Sequence, residues 1–244
     1  MSAVFRVATY NIHKGVQGLG PTRRLEIHNL ALAVATFDAD VVCLQEVRQM
    51  NRREEQHFKH WPAIGQAAFL APPGYESVYS TNAVTRHGEH GNALLSRWPV
   101  RQQLHEDMSD HRFEQRGLLH VELDVHGQVL HVLVLHLGLV RASRVRQLAQ
   151  LQRYIERTVP STAALLVAGD FNEYGALVPQ AMNAMNLKAF EGKKMATFPA
   201  RLPLLQLDYV FARGLVPRAV QVLRGRAWAS MSDHLPLLAE FSFE

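Results

Sequence analysis

The chain has 244 residues, enough for one large domain or two small ones with a sizeable core. Hydrophobic residues make up 48% and charged residues 20%, the balance of a globular protein rather than a disordered or fibrous one. A net charge of +4 permits an anionic substrate without specifying one, and the one cysteine excludes an intrachain disulfide.

No apolar run approaches the roughly 20 residues that span a bilayer. The opening MSAVFRVATYN lacks the basic and apolar regions of a secretory signal. A cytoplasmic protein is expected, with a peripheral place at the membrane left open.

In chain order, a first strand is expected at 4–10, and it runs into Asn11 and His13. Residues 23–37 have helical period through Ile27, Leu30, Val34 and Phe37. A strand at 40–45 follows, with Cys43 as a small core residue and Glu46 at its end. Residues 47–90 read as loops with short helices. Strands at 92–96, 118–125 and 129–136 come next, the first opening on Asn92 and the last closing on His136. Residues 143–157 repeat the helical period through Val145, Leu148, Leu151 and Ile155. The run ALLVAG at 164–169 then ends in Asp170 and Asn172. Loops with short helices at 172–204 lead to strands at 206–212, 218–223 and 235–241. Asp208 lies in the first of these, and Asp233 and His234 precede the last.

No linker or low-complexity tract interrupts the chain, so one domain over 1–244 is expected. Its halves echo each other. VATYNIHKG leads through the first helix to ADVVCLQEV, and VLVLHLGLV leads through the second to ALLVAGDFN. The expected fold is α/β, a four-layer α/β/β/α sandwich of two packed mixed β-sheets with helices outside. Strand ends from both sheets would then meet along one edge, the usual place for chemistry in layered α/β folds.

Thirteen histidines are present, and His28, His57, His60, His105 and His126 look scattered. The polar residues at strand ends form a different set: Asn11, His13, Glu46, His136, Asp170, Asn172, Asp208, Asp233 and His234. Asp and Asn alone often serve as turn residues or helix caps. Turn chemistry alone does not supply so many carboxylates and imidazoles at apolar strand ends. Hard oxygen donors without thiolates suit Mg²⁺ or Mn²⁺. Such an ion among acids and imidazoles suits phosphate-ester hydrolysis.

The ordered motifs TYNIH, LQEV, GNALLSRWP, QRGLL, LHLG, GDFN, LDYVF and SDHLP resemble the endonuclease/exonuclease/phosphatase superfamily of DNase I-like metal-dependent phosphohydrolases. The resemblance runs from about residue 5 to residue 241 and extends to small bacterial members without an assigned substrate. It implies Glu46 as the main metal ligand, with Asn11 and Asp233 near the ion. It implies that Asp170 orients or activates water, that Asn172 holds the phosphate, and that Asp208 orients His234 against it. His136 would donate to a phosphate or leaving-group oxygen. Arg116, Asn92 and His13 are expected on the substrate side. His13 stands where apurinic endonucleases of the superfamily carry an acid, which weakens that comparison.

A lipid or small-molecule phosphodiester is the expected substrate, with apolar contacts offered by the segment 61–79. A nuclease is the alternative, with Arg23, Arg24, Arg52, Arg53, Arg141, Arg144 and Arg146 as a backbone track. An idle binding or scaffold protein is a third reading, against which the full set of polar residues argues.

Overall fold

The structure, a computed structural model, describes residues 4–190, 192 and 194–243. The first part of the chain forms β1 (Val4–Asn11), β2 (Val16–Gln17), β3 (Arg24–Leu25), α1 (Ile27–Ala35), β4 (Val41–Val47), α2 (Arg52–His57) and α3 (Gln66–Leu70). The middle forms β5 (Glu76–Thr85), β6 (Gly88–Ser96), β7 (Val100–Asp107), β8 (Gly117–Val125), β9 (Gln128–His136) and α4 (Arg141–Thr158). The last part forms β10 (Ala164–Asp170), α5 (Leu177–Ala184), β11 (Asp208–Arg213), β12 (Leu215–Val222), α6 (Arg226–Met231) and β13 (Leu237–Phe243).

Two mixed sheets carry the architecture, one in the order β12-β13-β1-β4-β6-β5 and the other in the order β11-β10-β9-β8-β7. Side chains alternate across each strand. In β1 and β4 the alternation sends Val7, Val41 and Cys43 into the layer between the sheets. It sends Ala8, Tyr10, Val42 and Leu44 toward α1, α3 and α6. In β9 and β10, Val132, Val134, Leu166 and Ala168 face the first sheet. Leu133, Leu135, Leu165 and Val167 face α4 and α5. Three apolar layers therefore separate four layers of structure, as the sequence leads one to expect. Strands covered on both faces are continuous apolar runs for this reason.

Two strands depart from expectation. β5 lies inside 47–90, and β7 falls where no strand is expected. Each is the edge of its sheet; β7 is largely exposed and β5 is half-buried. An edge strand pairs on one side only, so polar residues such as those of ESVYSTNAVT and VRQQLHED suffice. The helix expected at 23–37 is shorter, because Arg24 and Leu25 pair with β2 and the helix begins at Ile27. Among the described residues no helix is long and apolar enough to cross a membrane.

Candidate active site

Strand pairing gathers the polar ends along one edge. β1 and β4 run parallel with Asn11 opposite Gln45, so Asn11 and Glu46 emerge together. β9 and β10 run parallel with His136 opposite Asp170, and antiparallel β11 sets Asp208 on the other side of Asp170. The loop before β13 returns to this edge. Ser232 Oγ donates to the Asn11 carbonyl at 2.6 Å and accepts the His234 N–H at 3.3 Å.

Asp170 is the hub. Its Oδ2 accepts from Asn11 Nδ2 at 3.0 Å and lies 3.5 Å from both His136 Nε2 and His234 Nε2. Its Oδ1 accepts the backbone N–H of Asn172 at 3.0 Å, a turn in which Asn172 takes a φ of 51°. The glycine just before it sets the spacing. Gly169 has a φ of 152°, and a Cβ there would lie 2.0 Å from the Leu135 carbonyl oxygen. A side chain at 169 would force β9 and β10 apart beside His136 and Asp170.

The two imidazoles around Asp170 carry different charges at neutral pH. Burial works to lower His234, but the Asp208 and Asp170 carboxylates overcome it and raise the ring to about 10. His234 Nδ1 donates to Asp208 Oδ2 at 2.8 Å. Burial, helped by the Arg116 guanidinium, lowers His136 to about 4 and leaves it neutral. Asp170 is itself raised by burial, against the pull of His234 and His136. One buried carboxylate thus faces one charged ring and one neutral ring, the separation of titrating groups expected where acid and base roles differ.

Asp170, Asp208 and His234 lie close enough to share an ion, with one ligand atom from each within 4.8 Å of the others. A ring protonated on both nitrogens, however, has no lone pair for a metal. Glu46 suits an ion better. It is at a left-handed φ of 57°, and its buried Oε2 makes no well-directed hydrogen bond although Lys14 Nζ stands 2.8 Å away. Burial tends to raise its carboxyl, but His136, Lys14 and His13 hold it well below the usual carboxylate range. A buried, ionised and under-coordinated carboxylate fits a hard divalent cation.

The other expected residues fall around this centre. Asn11 Oδ1 accepts the His13 backbone N–H at 3.1 Å, so its amide is already shared between Asp170 and the turn that follows β1. Asp233 Oδ1 lies 3.3 Å from His13 Nδ1. Burial would raise Asp233, yet His13 and His234 lower it. Arg116 Nε and Asn172 Nδ2 both donate to the Leu137 carbonyl, at 3.1 and 2.9 Å. Asn92 is fully buried, and its Nδ2 bridges the sheets by donating to Gly117 O at 2.9 Å and Val134 O at 3.1 Å. Only its Oδ1, buried and without a partner, remains for another group.

Four residues near the centre went unassigned in the sequence. Lys14, Ser232 and His90 sit inside NIHKG, SDH and HGNALLSR, beside assigned residues, and adjacency was their one signal. His90 is lowered to about 4 by burial and by the Lys14 charge. The Phe198 ring lies 5.0 Å from His234 and comes from the stretch TFPARLPLLQLDYVF, in which Asp208 alone is given a role.

The arginines offered as a backbone track are mostly paired. Arg23 meets Glu54 at 2.6 Å, Arg24 meets Glu26 at 3.2 Å, and buried Arg144 meets Glu173 at 2.8 Å. Arg146 pairs with Asp110. Arg52, Arg53 and Arg141 are exposed.

Comparison with known proteins follows the same lines. The model of the Endonuclease/Exonuclease/phosphatase family matches residues 8–234. The "Uncharacterized protein YbhP" of Escherichia coli (strain K12) is 38% identical over 244 residues, covering 97% of this chain and 95% of that protein. Among solved structures, an endonuclease/exonuclease/phosphatase from Beutenbergia cavernae DSM 12333 superposes with a TM-score of 0.74 at 21% identity, over 98% of this chain and 72% of that one. The human Nocturnin catalytic domain with bound sulfate anion gives a TM-score of 0.73 at 22% identity, over 99% and 94% of the two chains. These structures share the fold.

Proposed function

The chain belongs to the Endonuclease/Exonuclease/phosphatase family, and from that premise we propose that it is a metal-dependent phosphodiesterase acting on a lipid or small molecule. The observation that carries the reading is the buried Asp170 carboxylate held between a charged imidazole and a neutral one. A phosphate ester needs both a group that takes a proton from water and groups that donate to its oxygens.

Asp170 is the group to orient or deprotonate the attacking water. His234, kept charged by Asp208, donates to a non-bridging oxygen of the phosphate. Neutral His136 donates to a phosphate or leaving-group oxygen. Asn172 holds the phosphate, with Arg116 linked to it through the Leu137 carbonyl. Glu46 would hold Mg²⁺, or Mn²⁺ in its place, with Asn11 and Asp233 beside it. When bound, such an ion would neutralise charge developing on the phosphate and on the leaving oxygen. The pairing of four of the seven candidate track arginines with acids supports a small or lipid substrate over a nucleic-acid strand.

The test is a panel of phospholipid vesicles, inositol phosphates, a simple aryl phosphodiester and supercoiled plasmid, each with and without Mg²⁺. Hydrolysis of a lipid or small diester is expected, dependent on Mg²⁺ and lost in Glu46→Gln together with Mg²⁺ affinity measured by calorimetry. Plasmid nicking at nanomolar enzyme would make the protein a nuclease instead. Turnover that survives Glu46→Gln at sub-millimolar Mg²⁺ would remove the ligand assignment.

A further inference from the structure

Beside the loop that carries Asp233 and His234 lies a groove of about 810 Å³. Four of its ten lining residues are arginine (Arg24, Arg201, Arg224 and Arg226) and none is acidic. They come from three separate parts of the chain: β3, the 197–205 loop, and the turn into α6. All four are exposed.

Three of these arginines, gathered in one groove, lack a counter-charge. Arg24 has Glu26 at 3.2 Å, but Arg201, Arg224 and Arg226 have no carboxylate partner among the described residues. Arg23, Arg97, Arg101, Arg144, Arg146 and Arg157 each meet an acid. Like charges brought together without counter-charge repel one another, and an anion relieves that repulsion. Guanidinium groups match phosphate oxygens through paired N–H donors.

The groove wall is also fastened to the catalytic loop. The Ala200 N–H donates to the Asp233 carbonyl at 2.7 Å, and the Leu235 N–H donates to the Thr197 carbonyl at 2.9 Å. Ala200 and Leu235 both line the groove. The groove therefore adjoins the loop that holds His234.

We propose that this arginine groove is a second anion subsite, which takes a further phosphate carried by the same small-molecule or lipid-headgroup substrate. The proposal rests on the phosphohydrolase reading for its substrate, but the subsite can be measured without turnover. The probe is inorganic tripolyphosphate, titrated calorimetrically in EDTA against wild type, Arg201→Ala/Arg226→Ala and Arg141→Ala. Losing two guanidiniums should weaken binding by ~10-fold or more. Arg141→Ala should bind as wild type does. Equal binding by wild type and the double variant would overturn the subsite, and so would an equal loss in Arg141→Ala.

A second arm compares hydrolysis of a small phosphodiester with and without an additional phosphate. The double variant should raise KM for the doubly phosphorylated substrate alone and leave kcat unchanged. Arginine-dependent tripolyphosphate binding without hydrolysis of any ester would support the subsite while defeating the phosphohydrolase reading. If the double variant instead impaired cleavage of an oligonucleotide and spared both small esters, the small-molecule occupant would be wrong.

Discussion

Two pairs of buried imidazoles belong to this fold, and their surroundings differ in one respect. His136 and His234 flank Asp170 at the edge where strands end. His120 and His131 lie within β8 and β9, where His120 Nε2 and His131 Nδ1 are 2.9 Å apart and the Tyr154 hydroxyl is 2.9 Å from His120 Nδ1. The nearest acid to the second pair, Glu122, is 3.7 Å from His131 Nδ1. Burial lowers both rings of that pair, His120 to about 4, and each stays neutral. At the edge the same desolvation acts on His234, but two carboxylates outweigh it. Burial alone keeps a histidine neutral, and Asp170 beside it does not change that for His136; the second carboxylate, Asp208, hydrogen-bonded to His234, is what makes that ring a proton donor.

Removing the shared carboxylate should break this contrast most sharply. Asp170→Asn puts a neutral amide where His136 and His234 flank a carboxylate, and kcat should fall by roughly 10²–10⁴. His120→Phe should leave kcat near wild type. Steady-state kinetics on the ester identified by the panel checks both, and a similar loss in the two variants would erase the distinction.

A subtler change weakens only the charge on His234. The ring is protonated below its raised value of about 10, so activity that needs the imidazolium is lost as pH rises through that region. Asp208→Asn removes the nearest counter-charge and should move that alkaline loss down by about 1–3 units in the pH–rate profile. Combined with His234→Ala, it should add little further loss, because the two residues act as one unit. Losses that multiply would separate them.

The smallest effect is expected in mid-strand. His120→Phe leaves His131 Nδ1 and the Tyr154 hydroxyl without their partner, and stability near pH 7 should fall by about 1–3 kcal/mol. The wild-type ring is lowered from 6.5 to about 4 on folding. Its stabilising contribution is therefore complete above pH 6.5 and is lost as pH falls through about 4. Chemical denaturation across that window should show a shallower acid limb in the variant, and an unchanged limb would assign the acid sensitivity elsewhere.

The sequence foretold the covered strands and the edge they share because both faces of those strands are apolar. Val41 to Val47 and Ala164 to Asp170 could be read on that pattern alone, and each breaks at an acid. β5 and β7 were illegible because edge strands need no such pattern. The residues at strand ends were legible for the same reason as the strands. Lys14 was not, since its place against Glu46 depends on left-handed backbone at His13 and Lys14, with φ of 46° and 62°. The arginine pairs were hidden too: Arg144 and Glu173 lie on different elements, and nothing in their spacing joins them.

Gly169 has a consequence for anyone surveying this protein by mutation. No reacting group belongs to it, and a scan that scores residues by chemical type would pass over it. Its missing side chain nevertheless fixes the gap between the strands that deliver His136 and Asp170. Even alanine there would disturb the pairing of β9 and β10 and the placing of His136 and Asp170 together, and a library built to change substrate preference should keep that codon invariant while varying the loops around it.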